Sequence, residues 1–444
     1  MSYSSVDTFW ILMAAVLVFF MQPGFAMLEA GLTRGKNAGN IVMKNFMNFS
    51  LGTLAFWIVG FSLLFGRDIG GFIGMPDFFA QHMDLMAGTP YPDLAFLLFQ
   101  TVLCAVTAAI VSGAMAERTE FSSSCLITIL ISLLIYPIVG HWSWGGGWLA
   151  GLGFHDFAGA SVVSLTGGIC ALTGAKALGP RIGKYNDDGS VNAIPGHSLP
   201  LACLGMFILW FGWFGFNAGS ALGANALAAS AFIASQAAAA AATVTWVAVE
   251  WIVQGKPTIL GAASGCIAGL VAITPAAGFV APLPALIIGA VGGVICYFAV
   301  AVVKAKLGYD DSLDAFGIHG IGGTWGSIAT GIWATTEVNP AGADGLFYGS
   351  SDLLVAQIIS TVVAYALAIV GTFIIFKIIS LFMTVRTDKN EEITGLDIGE
   401  HGERGYNYAI MSGSPFGETP ATPLGNASLD NAAVNTAGIN GRNL

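Results

Sequence analysis

A histidine inside an apolar, glycine-rich run is the residue in this chain best placed to do chemistry. His319 stands in Ala-Phe-Gly-Ile-His-Gly-Ile-Gly-Gly-Thr-Trp-Gly (315–326), where the glycines leave its ring open to a neighbouring cavity. An imidazole offers one donor and one acceptor nitrogen and titrates near neutral pH, so a histidine here can line a pore and handle a proton. It could equally be hydrogen-bonded between helices. Other polar residues in or beside apolar stretches are Gln100, Asp156, Ser164, Asn217, Ser220 and Glu250. Such groups are expensive to bury in a membrane, which makes each a candidate for function. Aromatic residues form a second constellation. Trp142, Trp144 and Trp148 follow one apolar run, and Trp210, Trp213, Phe214 and Phe216 lead into Asn217-Ala-Gly-Ser220 in another. A desolvated small cation gains about 2 kcal/mol over a tryptophan face, Ser220 could accept a hydrogen bond from it, and no Lys or Arg stands beside either cluster to repel it. Tryptophans at headgroup level also form an ordinary aromatic belt, so both readings stand.

Enzyme classes are excluded mainly by absent motifs. The chain has no P-loop pattern, no HExxH, no Cys/His metal spacing and no GxSxG with suitable partners. It is read as a non-enzyme without metal or cofactor. Cys104, Cys125, Cys170, Cys203, Cys266 and Cys296 each lie in an apolar stretch and read as small buried hydrophobes. The formal net charge of −10 argues against nucleic acid as a partner.

The elements that must hold these groups are membrane helices. Of 444 residues, 55% are hydrophobic and 9% charged, and a soluble surface cannot be built from so little charge, where about 25% is usual. The 59 glycines suit close helix packing in a bilayer. Hydropathy predicts eleven spans, near 8–31, 40–66, 93–115, 122–141, 160–180, 197–220, 225–253, 258–274, 282–305, 316–336 and 351–384. Of the 16 Lys and Arg, all but Arg67 fall on one side of this arrangement, which places the N-terminus outside and the C-terminus in the cytoplasm. The first span has no basic leader and is too long for a signal peptide, so it is expected to be retained. The chain divides into a transmembrane domain (1–384), a cytoplasmic C-terminal region (385–411) that could fold against the loops, and a polar tail (412–444) expected to be disordered. Asp156-Phe-Ala-Gly159 opens the fifth span and Asp314-Ala-Phe-Gly317 the tenth. Five intervening helices would put the two copies in opposite orientation, the signature of inverted repeats with a substrate path between them.

Taken in order, these segments resemble the ammonium transporter family, the Amt branch of the Amt/Mep/Rh group, from about residue 8 to 408. The resemblance rests on Pro-Gly-Phe-Ala-Met-Leu-Glu-Ala-Gly (23–31), Arg34-Gly-Lys-Asn37, Gly-Ala-Met-Ala-Glu-Arg-Thr (113–119), Trp-Gly-Gly-Gly (144–147), Asp-Phe-Ala-Gly (156–159), Trp-Phe-Gly-Phe-Asn-Ala-Gly-Ser (213–220), Asp-Ala-Phe-Gly-Ile-His-Gly (314–320) and Gly-Leu-Asp with His-Gly-Glu (395–403). It implies an all-α polytopic protein with a 5+5 inverted repeat, a homotrimer of eleven-helix subunits in the plasma membrane, and a narrow hydrophobic pore in each subunit. By position, Trp144 and Ser220 would form an outer ammonium site, Phe216 would gate the pore below it, Asp156 would support the site from nearby, and His319 would line the pore centre. A PII-type signalling protein would dock on the cytoplasmic loops and residues 386–408.

Two positions depart from the family pattern. Leu103 stands where the outer gate has a second phenylalanine, and Ser164, eight residues after Asp156, stands where the first of two paired pore histidines belongs. Carrying bare ammonium through an apolar pore incurs the membrane charge penalty, whereas neutral ammonia passes far more cheaply. A serine hydroxyl does not titrate usefully, so a relay through Ser164 and His319 would need a bridging water. Ser164 could instead bond back to its own helix carbonyl four residues earlier. The leading reading is an ammonium transporter, with methylammonium as analogue. The alternative is an ammonium sensor or transport-impaired receptor, motivated by Ser164 and Leu103, although the tail is too short for an attached output domain. A channel for another small neutral solute is the third.

Overall fold

The computed structural model describes residues 3–82 and 89–406. The tail expected to be disordered, 412–444, and the end of the 385–411 region lie outside the described residues. Residues up to Gly405 form one compact helical unit. Its main helices are α1 (Ser5–Leu32), α2 (Gly35–Phe65), α3 (Asp93–Ala114), α4 (Phe121–Gly151), α5 (Ala160–Leu178), α6 (Leu199–Gly219), α7 (Ala226–Gln254), α8 (Ile259–Ile273), α9 (Pro282–Leu307), α10 (316–333) and α11 (Asp352–Ile379). Two short helices follow, α12 (Lys389–Thr394) and α13 (Leu396–His401).

Among the described residues, nine helices are long and apolar enough to cross a membrane: α1 to α7, α9 and α11. The chain is a polytopic helical membrane protein. Hydropathy weights the eighth and tenth spans equally with the rest, but α8 has only 15 residues and the apolar run of α10 is interrupted by glycines, His319 and Thr324. Position in the bundle explains the difference. Eleven consecutive residues of α8, Ala263 to Ile273, are almost wholly buried, so protein rather than lipid surrounds them and uniform hydropathy is not required. At the other extreme, α7 and α11 bury only 33% of their most apolar window and turn the remainder outward.

Helices α5 and α10 cross at glycines. A Cβ on Gly168 would overlap the backbone nitrogen of Gly320, and one on Gly323 would stand 3.0 Å from Leu165. Small residues there let two backbones meet, as expected where packing drives association in lipid. Both helices open with a π-helical segment, 160–165 in α5 and 316–320 in α10. Such wide turns are frequent at functional sites, although among the described residues 56–60, 131–135 and 299–303 form them too.

Each of these openings is held by a buried aspartate. Asp156 accepts the N–H groups of Gly159 and Ala160 on Oδ1 and of Ser161 and Val162 on Oδ2, at 2.8 to 3.2 Å. It thereby satisfies donors that a helix N-terminus otherwise leaves orphaned. In α10 the corresponding residue is Asp311, whose Oδ2 accepts the N–H of Phe316 at 2.7 Å. Sequence comparison matched Asp156 with Asp314, and the structure corrects this by three residues. Asp314 has positive φ and pairs with Lys304 instead. In the corrected register Ser164 lies eight residues after Asp156, and His319 eight after Asp311.

Candidate functional site: two vestibules and the plug between them

One cavity of about 390 Å³ opens at the aromatic-rich end of the bundle. Trp144 lies on its wall, and two features fix the indole. Its Nε1 donates to the main-chain oxygen of Asp156 at 2.8 Å. Gly159, in the left-handed region at φ 105°, carries no Cβ; one would stand 2.7 Å from the ring. Ser220, just past the end of α6, donates to the Phe216 carbonyl at 2.9 Å and leaves its lone pairs free to accept. Gln100 adds a buried Oε1 with no partner among the described residues. Leu103 lies on the same wall. The wall carries no Lys or Arg, and the Asp156 carboxylate is fully engaged by main-chain donors. The arrangement therefore offers an aromatic face and neutral acceptors to a small cation.

Beneath Ser220 the ring of Phe216 closes the path, with no exposed surface. Ser220, Phe216 and Trp213 are spaced to share one face of α6. Phe216 packs on Trp213 with centroids 5.6 Å apart, and Trp213 lies nearly parallel to His319 at 6.3 Å. The Trp213 Nε1 donates to Thr274 Oγ1 at 2.9 Å, which fixes that indole. Sequence reasoning had grouped Trp213 only with the aromatic clusters. Its spacing from Phe216 and Ser220 was the available sign that it continues the same descending row.

His319 lies at the edge of a second cavity, of about 430 Å³, which reaches the end of the bundle that carries Arg181, Lys184 and Lys304. Its Nδ1 is 3.5 Å from Ser164 Oγ. That spacing leaves no room for the bridging water expected from sequence, since two normal hydrogen bonds meeting at one water hold their ends about 4.5 Å apart. Nor does Ser164 show a bond to the carbonyl four residues earlier among the described residues; its hydroxyl faces the imidazole.

Not every polar residue in an apolar run belongs to the path. Asn217 donates to Ser235 Oγ at 2.8 Å, and Glu250 accepts from the N–H and hydroxyl of Thr258 ahead of α8. These two are structural ties between helices.

The basic end is tied together by ions. Glu117, wholly buried and at φ 73°, accepts from Arg34 and Asn37 and pairs with Arg181, which forks onto Asp310 at 2.8 Å through both Nε and Nη2. Burial alone would raise the Glu117 carboxyl, but Arg181 and Arg34 outweigh it and hold it below the usual range. Asp310 is likewise held well below, by Arg181 and Arg118 against its own burial. Residues 386–405 return to this network. Glu392 pairs with Arg386, Lys36 donates to the last carbonyls of α12, and Asp397 accepts the N–H groups of Gly39 and Asn40.

The sequence from residue 9 to 406 matches the model of the Ammonium Transporter Family. The chain belongs to the ammonium transporter family. A Bacillus subtilis protein named ammonium transporter is 44% identical over 412 residues, covering 91% of this chain and 99% of that one. Ammonium transporter Amt2 of Archaeoglobus fulgidus is also 44% identical, over 90% and 88% of the two chains. Among solved structures, one described as a sensor Amt protein superposes with TM-score 0.85 at 36% identity, covering 89% and 98%. Candida albicans Mep2 gives 0.82 at 31%, covering 95% and 93%.

Within this ammonium transporter fold the residues singled out from sequence take definite places. Trp144, Ser220 and Leu103 line the aromatic vestibule, and Asp156 sits at its edge. Phe216 lies in the plug, and His319 borders the opposite vestibule beside Ser164. Four of the cysteines are buried and the other two partly so, all as free thiols.

Proposed function

We propose that this chain is an ammonium transporter that recruits ammonium at the aromatic vestibule and conducts ammonia or ammonium through the hydrophobic plug to the basic vestibule. The observation that carries this reading is the descending row of Trp144, Ser220, Phe216, Trp213 and His319 between two cavities. A cation is favoured over the Trp144 face, with Ser220 and Gln100 accepting its protons. It is disfavoured past Phe216, where a charge in apolar surroundings costs several kcal/mol or more. His319 is the titratable group at that boundary. Asp156 acts by positioning, since its carboxylate is spent on α5.

The finer reading has α1 to α11 all crossing the plasma membrane as an inverted repeat, with α8 and α10 at the centre. The N-terminus is outside, the basic end is cytoplasmic, and three copies form the unit. The gathering of Arg34, Arg118, Arg181 and Arg386 at one end supports that orientation. A PII-type protein is assigned to the cytoplasmic loops and the docked segment 386–405, and a negative pull-down with the host's own PII protein would remove it.

Uptake of labelled methylammonium by cells lacking their own ammonium transporters tests the main reading. Background uptake by correctly inserted protein would sink it, and equal competition by potassium would point to a channel of another kind. The likeness to a sensor Amt structure and Ser164 beside His319 favour a second reading, an ammonium sensor. Tight ammonium binding without flux would select it.

A further inference from the structure

A proton taken up by His319 must leave before the next substrate arrives, and neither Ser164 nor Trp213 can carry it on. The inner vestibule holds two carboxylates with His319, Glu29 of α1 and Asp314. Asp314 is committed to Lys304, Arg181 to Asp310 and Glu117, and Lys184 donates to the Asn192 carbonyl. Glu29 is different. It is only 2% exposed, and Oε2 accepts from Asn45 at 2.9 Å, but Oε1 takes no hydrogen bond among the described residues. Gly113, on the same cavity wall, leaves that oxygen uncovered; a Cβ there would stand 3.2 Å from it. Behind it lies Lys44 on α2, also buried, whose Nζ has no hydrogen-bond partner among the described residues and which attracts Glu29 through space. A buried carboxylate with a vacant acceptor, offset by a cation it does not touch, is costly unless the opening is used.

We propose that Glu29 is the inner proton station of the transport path, an inference that rests on the ammonium-transport reading. Ammonium gives one N–H proton to the free imidazole nitrogen of His319 and continues as ammonia. The imidazolium passes that proton through water in the vestibule to the Glu29 carboxylate, restoring neutral His319. The carboxylic acid then protonates ammonia, which leaves as ammonium, and the carboxylate is regenerated. No electrons change hands, and charge and atoms balance over the cycle.

The test uses the full-length protein in liposomes, recording ammonium-driven current and labelled methylammonium uptake together. Glu29→Gln keeps the shape and an acceptor for Asn45; it should cut current by about tenfold or more, as loss of a proton-transfer group does, and flatten its dependence on internal pH. Glu29→Asp should restore most of both. An unchanged thermal unfolding midpoint separates this from mere structural damage. Wild-type current and pH profile in Glu29→Gln would overturn the proposal. Should that variant fail to fold, Gly113→Ala made together with Leu313→Ala decides: the second change removes the leucine that the new methyl would meet at 2.8 Å, and the methyl then covers Oε1, so current lost beyond that of Leu313→Ala alone supports the station and current equal to it overturns it. If wild type itself gives neither current nor uptake, the transport reading falls and this proposal with it.

Discussion

Nδ1 of His319 and Oγ of Ser164 stand 3.5 Å apart at the crossing of two helices whose glycines bring the backbones together. The distance is beyond the usual 2.7 to 3.2 Å of an N–H···O bond. The histidine therefore has a polar neighbour without a strong partner, and its second nitrogen has no hydrogen bond among the described residues.

From this it follows that Ser164 is nearly dispensable and His319 is not. A normal hydrogen bond contributes about 1 kcal/mol, and this long one less, so Ser164→Ala should keep methylammonium uptake within about threefold of wild type. His319→Ala removes the group proposed to take the proton and should reduce uptake by two orders of magnitude or so. Comparable losses in both variants would mean that the two side chains work as a unit.

Packing predicts opposite outcomes for two glycines, one at this crossing and one away from it. Gly168→Ala forces a methyl into the Gly320 backbone, where neither chain can retreat, and overpacking of this kind costs about 1–3 kcal/mol. Gly151→Ala, at the end of α4 with nothing within 4 Å of the added carbon, should be neutral or slightly stabilising. Thermal unfolding in detergent reads both. A Gly168→Ala protein as stable and active as wild type would show that the helices can separate without loss.

Much of this site was legible in the sequence because its signals are local. Trp144, Ser220 and His319 announce themselves as polar or aromatic groups in runs that tolerate few, and the positions of basic residues sort the two ends. Register across long separations was not legible. Asp314 looked like the counterpart of Asp156 because each opens a run of the same four residue types, Asp, Phe, Ala and Gly, whereas the helix-opening bonds, visible only in three dimensions, belong to Asp311. The spacing of Trp213 from Phe216 and Ser220 puts it on their face of α6, but only the structure places it beside the histidine, its indole bonded to Thr274 and nearly parallel to His319. The different burial of α8 and α7 was equally hidden, since hydropathy measures composition and says nothing of which neighbours surround a helix.

Asp156 should behave as a positioning residue. Asp156→Asn puts an amide N–H₂ against main-chain donors that now share a carboxylate, weakening charge-assisted bonds at the start of α5. The Asp156 main chain holds the Trp144 indole, so the damage should reach the aromatic vestibule proposed to recruit ammonium. Concentration dependence of uptake is expected to show a half-saturation constant raised by roughly tenfold, about 1.4 kcal/mol, with a smaller change in maximal rate. An unchanged half-saturation constant with a collapsed maximal rate would instead place the carboxylate on the proton route.

The docked C-terminal segment carries its own pH dependence. Glu120, just before α4, lies where one of its carboxylate oxygens and one each from Glu391 and Glu400 are within 4.8 Å of one another. Burial and then the charges of Glu400, Glu391 and Asp388 push its carboxyl from 4.5 up to about 7. Lys44, facing Glu400 from α2, is the nearby positive charge, and His401 packs edge-on against Phe121. A carboxyl raised in the docked state favours that state while protonated, so its support is full below about pH 4.5, declines as pH rises through about 7, and then changes no further. Glu117 and Asp310, both held below the usual range, act in the opposite sense and lose their contribution only in more acidic solution. Hydrogen exchange over 386–401, corrected for the intrinsic rate, should therefore show protection falling between about pH 5 and pH 7. Glu120→Gln, which cannot ionise, should hold protection level across that window, and a variant that still tracked wild type would assign the change to another group.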